Sequence, residues 1–466
     1  MIHNSKAFFS IISAVLILSS GTVSAQESLR RRISENPLVA AGNGNVYPIP
    51  EHGAPKALKG FKPFYISHYS RHGSRWLISR EDYQRPMSIL QEEYTRGNLT
   101  LLGEDVMHRL EIVCKAAESR YEELTVKGAE QQRGIAQRMY SNYPEVLGHD
   151  AKVRARSTIV IRCILSMNAF TNALAGCNKA LQIDADASKH DMYYMNWYDP
   201  EHIVPDKDLR AVTDSINKAN IHPERFMSSI FKNPEGICDA LYSDIYMICG
   251  NVQGTSVSDV SFWDLFTTDE LYSLYYCCNA GWYFNHGNSP AKDNMRPFVQ
   301  SNLLRTIIAQ ADDAITDGEY AADLRFGHDG NLSSLVTLMN LNGLGASVGE
   351  IDRIAEVWSI TDIIPMAANL QMVFYRNKAG KVIVHFSLNE REASLPIETY
   401  QPEGAKKSST AKFYLWSDVK SYWNDFLARS PVKSGICRAS LPIRSLFWQC
   451  GIHGCRQRYP SLHDSP

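Results

Sequence analysis

Residues 64–68, Phe-Tyr-Ile-Ser-His, form an apolar and aromatic run with the character of a buried strand, and the charged residue Arg71 follows shortly after it. Apolar residues then recur at helical spacing over 87–96, 106–119 and 128–140, which predicts three helices. Leu124-Thr125 followed by Gly128 marks a turn and the start of the third. A short strand over 151–156 and a helix over 158–174 come next. Further on, 322–326 has the pattern of a strand. Residues 331–341 place Leu332, Leu335, Val336 and Met339 on one helical face. The runs 371–375 and 382–388 predict a hairpin around Asn377 to Gly380.

Strands alternating with helices predict an α/β fold. The texture changes over 184–302, where aromatic-rich stretches such as 263–276 and a Gly/Asn/Pro stretch at 287–291 predict a mainly helical insert. The α/β core is therefore expected over 61–183 and 303–430. A lead-in segment over 26–60 has its period broken by Gly42, Gly44, Pro48, Pro50, Gly53 and Pro55. An atypical tail, 431–466, crowds Cys437, Cys450 and Cys455 among arginines and prolines without an apolar period, and reads either as a variable ending or as a non-native frame.

Residues 1–25 have the layout of an export signal: Lys6, an apolar stretch over 8–20, and Val23-Ser24-Ala25 as a small-residue cleavage site. No other stretch reaches the roughly 18 to 20 apolar residues of a membrane span, so none is expected in the mature chain. A periplasmic or secreted location follows. In an oxidising compartment the ten cysteines are open to disulfide formation, with Cys238–Cys249 as one loop-closing pair, or to burial as free thiols. The formal net charge of −2 gives no global basic field for nucleic acid, so anion binding must rest on a local cluster.

Arg71-His72-Gly73-Ser74-Arg75 supplies such a cluster at the end of the first strand. Two guanidinium groups can clamp phosphoryl oxygens, Gly73 lets backbone approach closely, and the imidazole between them can attack phosphorus. The competing interpretation is a solvated basic loop. His68, four residues earlier, is expected to pack or hydrogen-bond within the strand. Phosphoryl transfer to His72 also needs an acid for the departing alcohol. Four His-Asp pairs occur, His149-Asp150, His190-Asp191, His328-Asp329 and His463-Asp464, where about one is expected by chance. Only His328-Asp329 lies between a strand and an amphipathic helix, at the carboxyl end where α/β proteins bind ligands. With Ser157 or Thr158 capping a helix, Arg162 lies in its first turns, and its spacing fits an anion ligand and an exposed surface arginine equally.

Arg71-His72-Gly73-Ser74-Arg75, Leu124-Thr125 with Gly128, Arg156-Ser157-Thr158 with Arg162, and His328-Asp329 together resemble the histidine acid phosphatase family of the histidine phosphatase superfamily, in the family's order and across most of 61–400. The resemblance implies a central mixed sheet flanked by helices, with a helical insert. It implies His72 as phosphate-accepting nucleophile, Asp329 as proton donor, Arg71, Arg75, Arg162 and His328 as phosphate ligands, and Arg156 in support. It implies no metal and no other cofactor, and a small-molecule phosphate ester as partner.

Ser67-His68-Tyr69-Ser70, Leu388-Asn389-Glu390-Arg391-Glu392 and Leu395-Pro396 resemble the multiple inositol polyphosphate phosphatase branch. That branch commonly carries His-Ala-Glu at the acid position, whereas this chain has His328-Asp329-Gly330, as in bacterial and fungal phytases. The expectation is an exported phosphomonoesterase acting on inositol polyphosphates such as phytate, with Arg80 either an extra pocket cation or a plain surface arginine. The alternatives are a broad-specificity or sugar-phosphate phosphatase of the same fold, and a non-catalytic phosphate-ligand binding protein.

Overall fold

The computed structural model describes residues 25–51, 53–196, 209–402 and 411–431. The expected export signal, up to residue 24, and the tail beyond 431 lie outside the described residues.

From Tyr65 to Arg71 every residue of β1 (Phe61–Arg71) is buried, so this strand is covered on both faces. Its neighbours are β4 (Ala322–Gly327), which runs parallel to it, and β5 (Asn369–Asn377), which runs antiparallel. Beyond β4 lie β2 (Lys152–Ser157) and β3 (Gln182–Asp186), both parallel. Beyond β5 lies its hairpin partner β6 (Val382–Leu388), which pairs with β7 (Arg391–Ala393) and β8 (Tyr414–Leu415). The result is a mixed eight-stranded sheet in the order β3-β2-β4-β1-β5-β6-β7. Register aligns Arg71 with Gly327, so the segments leaving β1 and β4 emerge side by side.

A helix over 25–35 (α1) precedes a 3-10 segment at Pro37–Gly44. α2 (Glu81–Thr95), α3 (Leu101–Ala117), α4 (Val126–Asn142) and α5 (Ile161–Cys177) lie between β1 and β3. Among the described residues, those between β3 and β4 form helices and no strand: α6 (Met192–Met195), α7 (Arg210–Asn220), α8 (Glu224–Ile230), α9 (Ala240–Val252), α10 (Thr268–His286) and α11 (Ser301–Thr316). α12 (Asp329–Leu338) follows β4, the one-turn helices α13 (Ile354–Val357) and α14 (Ile360–Ile363) precede β5, and α15 (Trp416–Arg429) comes last. None of these helices is long and apolar enough to cross a membrane.

Period-two alternation divides the core. Ile66, Val153, Leu324, Phe326 and Val373 face one way and pack with Ile135 and Met139 of α4 and Phe170 and Leu174 of α5. Tyr65, Tyr69, Leu370, Met372 and Phe374 face the other way and join the larger cluster built from the remaining helices.

Several expected boundaries move. The lead-in segment holds a helix because Leu29 and Ile33, one turn apart, are both buried, and its glycines and prolines act only beyond residue 35. α5 starts at Ile161 rather than 158, since Ser157 still pairs with Phe326 in the sheet and Val160 stands at the N-cap without a side-chain bond. The 263–276 stretch splits into a 3-10 turn and α10, where Thr267 and Glu270 form a capping box. Cys249 is a buried free thiol, so the Cys238–Cys249 bridge is not made.

The loop after β1 is locked to α4 through two glycines. A Cβ on Gly73 would stand 2.2 Å from the Gly128 carbonyl oxygen, and one on Gly128 would stand 2.2 Å from that of Ser74. Thr125 caps α4 by accepting from Gly128 N at 3.0 Å, while its own amide donates to Ser74 O at 2.9 Å. Gly128→Ala is therefore expected to lower stability by about 1–3 kcal/mol through forced separation of backbone, read from a denaturant midpoint. Gly176→Ala, where nothing lies within 4 Å, should not lower it. On the far side of the sheet, buried Trp423 packs on Phe386 and donates to Met339 O at 3.2 Å. Trp423→Ala should cost about 3–5 kcal/mol in the same measurement.

Candidate active site

Backbone bonds fix the segment that leaves β1. Arg71 N donates to Ala368 O at 2.8 Å, His72 N to Gly327 O at 3.0 Å, and Ala367 N to His72 O at 3.0 Å. Gly73 N donates to Ser166 Oγ of α5 at 3.1 Å. From α4, Gln132 Nε2 donates to Arg71 O at 2.8 Å, and Gln131 Oε1 accepts from Ser74 N at 2.9 Å. The imidazole and its flanking arginines thus sit on an immobilised strand end.

His72 Nδ1 lies 2.8 Å from the Gly73 carbonyl oxygen, which can only accept. The ring proton is therefore on Nδ1 and the lone pair on Nε2. Burial, then Arg162, Arg71, His328 and Arg75, hold His72 well below the ordinary histidine value, so the ring is neutral. His328 stands edge-on to it with centroids 5.8 Å apart. Its Nε2 is 3.2 Å from Thr158 Oγ1 and its backbone amide donates to Tyr69 Oη at 3.3 Å. Burial and then Arg162 push His328 down to about 3.

Three guanidinium groups converge here. Arg71, fully buried, donates from Nη1 to Asn43 O at 2.5 Å and Ile364 O at 2.7 Å, and its Nη2 lies 2.8 Å from Asp329 Oδ2. Arg75 donates to Trp76 O at 2.9 Å, while its buried Nε has no acceptor among the described residues. Burial, then Arg162 and Arg71, lower Arg75 to about 10. Arg162 is buried, and its Nη1 meets Glu122 Oε2 at 3.0 Å. Of the two interpretations open for Arg162, the exposed surface arginine is excluded.

Asp329 opens α12. Its Oδ1 accepts from Gly330 N at 2.9 Å, and its Oδ2 accepts from Asn43 Nδ2 at 3.2 Å besides facing Arg71. Burial pushes this carboxyl upward, but Arg71, Arg75 and His328 outweigh it and hold the group well below the usual carboxylate range. A neutral imidazole, a paired carboxylate and three clustered guanidinium groups, of which Arg75 Nε has no acceptor among the described residues, suit a bound tetrahedral anion.

The structure thus brings together His72, Arg71, Arg75, Arg162, His328 and Asp329. It does not bring Arg156 to them: that side chain meets Asp184 at 2.7 Å and Asp191 at 3.7 Å, at the β3 edge. Arg80 is exposed, as are His149 and His190 of two other His-Asp pairs, while His463 lies outside the described residues. His68 is buried against Phe170 and Phe326 and makes no hydrogen bond from its ring among the described residues, so it packs. Asn43 and Glu122 touch the cluster without a local signal in the sequence. Asn43 sits between two glycines, and Glu122 takes a left-handed backbone conformation, φ 59°, in a polar turn.

The Asn389-Glu390 motif supports the site from behind. Asn389 accepts from Asn369 N at 2.9 Å and donates to Asp362 O at 2.7 Å, and Glu390 pairs with Arg138 at 2.7 Å. This ties the start of β5, next to Ala367 and Ala368, against α14 and α4.

No family model and no curated protein matches the sequence. Solved structures do. The multiple inositol polyphosphate phosphatase of Bifidobacterium longum, in complex with inositol hexasulfate, superimposes with a TM-score of 0.65 at 18% identity, covering 82% of this chain and 97% of that one. The phytase from D. castellii does so with a TM-score of 0.63 at 15% identity, covering 84% and 86%. The mixed sheet flanked by helices, shared with these neighbours over most of its length, identifies the fold as that of the histidine acid phosphatases.

Proposed function

We propose that the protein is a phosphoric monoester hydrolase that works through a phosphohistidine on His72. The observation that carries this reading is the His72 ring itself. Its Nδ1 proton is held by the Gly73 carbonyl, leaving the Nε2 lone pair among Arg71, Arg75, Arg162 and His328.

In the first step His72 Nε2 attacks phosphorus and an N–P bond forms as the ester P–O bond breaks. The proton on Asp329 passes to the departing alcohol oxygen. Arg71, Arg75 and Arg162 hold the phosphoryl oxygens and stabilise charge that shifts among them. In the second step water attacks phosphorus, its proton goes to the Asp329 carboxylate, and the N–P bond breaks to release phosphate and neutral His72. In the resting site Asp329 is ionised by its arginine neighbours. A bound phosphate dianion offsets those same positive charges, which raises the carboxyl toward a protonated state as substrate arrives.

Inositol polyphosphates such as phytate are the proposed substrates. Support comes from the Ser67-His68-Tyr69-Ser70 and Leu388 to Glu392 motifs, and from the likeness to an inositol polyphosphate phosphatase and a phytase. The N-terminal signal pattern supports action outside the cytoplasm.

His72→Ala should reduce kcat on an aryl phosphate to background, and unchanged turnover in that variant overturns the mechanism. Asp329→Asn should lower kcat by about 10²- to 10⁴-fold on alkyl esters, and far less on esters with a good leaving group. Because His72 stays neutral well below the ordinary histidine pKa, kcat should persist at about pH 5, where a free imidazole is charged. Loss of activity as pH falls through about 6.5 would show that the nucleophile is an ordinary histidine. Phytate hydrolysis no faster than that of the aryl ester would end the substrate assignment alone.

A further inference from the structure

We propose that Asn43 is a positioning residue that joins the phosphate clamp at Arg71 to the acid at Asp329. The inference rests on the phosphatase reading and extends it to a segment that the strand and helix motifs do not include. Asn43 touches both partners at once. Its backbone oxygen accepts from Arg71 Nη1 at 2.5 Å, and its side-chain Nδ2 donates to Asp329 Oδ2 at 3.2 Å. Arg71 Nη2 lies 2.8 Å from that same carboxylate oxygen, so the three groups close a triangle.

The segment is built to hold Asn43 still. Gly42 takes φ +58°, and a Cβ there would stand 2.7 Å from Ile360 Cδ1, so α14 packs directly on its backbone. A Cβ on Gly44 would stand 3.3 Å from Gly250 O of α9. Asn45 donates from Nδ2 to Thr361 Oγ1 at 3.1 Å and accepts from Met366 N at 2.8 Å. Asn43 is thus fixed from both sides by contacts to α9, α14 and the strand-entering loop before β5. Its amide nitrogen can donate to Asp329 but cannot accept from it, which favours the ionised carboxylate and fixes its orientation. Oδ1 is already tied to Gly330 N, so both oxygens have defined partners. An acid that must hand its proton to one leaving oxygen needs this constraint.

The charged and titratable groups facing Asp329 are Arg71 and Tyr69 of β1, Arg75 of the following loop, the adjacent His328, His286 of α10 and Cys163 of α5. The arginines stay charged, burial holds His328 and His286 down to about 3, and burial pushes Cys163 up to about 11 and Tyr69 higher still. Asp329 is the one carboxyl among these groups, and it titrates below the usual carboxylate range.

The test is Asn43→Asp, which keeps the shape and the backbone acceptor for Arg71 but replaces the donor with a second carboxylate. In protein carrying 13C-labelled aspartate carboxyls, the Asp329 signal, assigned by its loss in Asp329→Asn, should titrate at least about one unit higher than in wild type, a tenfold change in proton affinity. With an aryl phosphate, kcat should fall about tenfold while KM changes by less than about twofold, and the limb of the pH profile set by Asp329 should move in the same direction. Asn43→Ala removes the donor without adding charge and should give a smaller shift of the same sign. An unchanged Asp329 titration in both variants overturns the proposal. Wild-type protein without phosphatase activity would instead overturn the functional reading, and the carboxyl titration would still decide whether Asn43 sets Asp329.

Discussion

Three guanidinium groups, Arg71 and Arg162 buried and Arg75 half-buried, sharing one small space around a neutral imidazole are the constraint to which the rest of the structure answers. Burial, together with the charge of Arg162, lowers Arg71, Arg75 and His72, and the carboxylates of Asp329 and Glu122 face the cluster in the resting site. Such an arrangement opposes folding, because several like charges are crowded together out of water. It persists because the surrounding backbone leaves it no freedom. β1 is paired on both sides up to Arg71, Ala368 and Gly327 hold the next amides, and the Gly73–Gly128 approach clamps the loop to α4. In the proposed reaction a tetrahedral dianion offsets this charge, so the same crowding that weakens the resting site would strengthen anion binding.

The sheet order converts this local problem into a two-part site. Placing β4 beside β1 brings His328 and Asp329, far away in sequence, to the mouth of the Arg-His-Gly loop. The first residue of α12 is Asp329, so the acid is held by its own helix N-terminus as well as by Arg71. The proposed nucleophile and acid therefore approach from different strands. Opposite demands are met by different neighbours: burial and arginines keep His72 unprotonated, and arginines keep Asp329 ionised in the resting site.

Most of the fold and the centre of the site were legible in the sequence because their signals are local. The run before Arg71, the amphipathic stretch after Asp329 and the spaced apolar residues of α3 and α4 each report a single element. Arg162 stayed open because its exposure depends on which way the first turn of α5 faces, and the true start at Ile161 has no side-chain cap to announce it. Arg156 matched a motif yet turns to Asp184 on the neighbouring edge strand, a partner set by sheet register rather than by spacing. Asn43 and Glu122 left no trace at all, since each acts on a group distant in the chain. The helix over 25–35 was hidden by the glycines and prolines beyond it, although Leu29 and Ile33 lie one turn apart.

The central claim is that His72 Nε2 takes the phosphoryl group, and a rapid acid-free quench of the enzyme turning over a 32P-labelled aryl phosphate, followed by peptide mapping, tests it most directly. The account predicts one acid-labile, base-stable label on the peptide containing His72, formed and lost at rates compatible with turnover. A label on another residue, or none during rapid turnover under conditions where breakdown limits the rate, would contradict it.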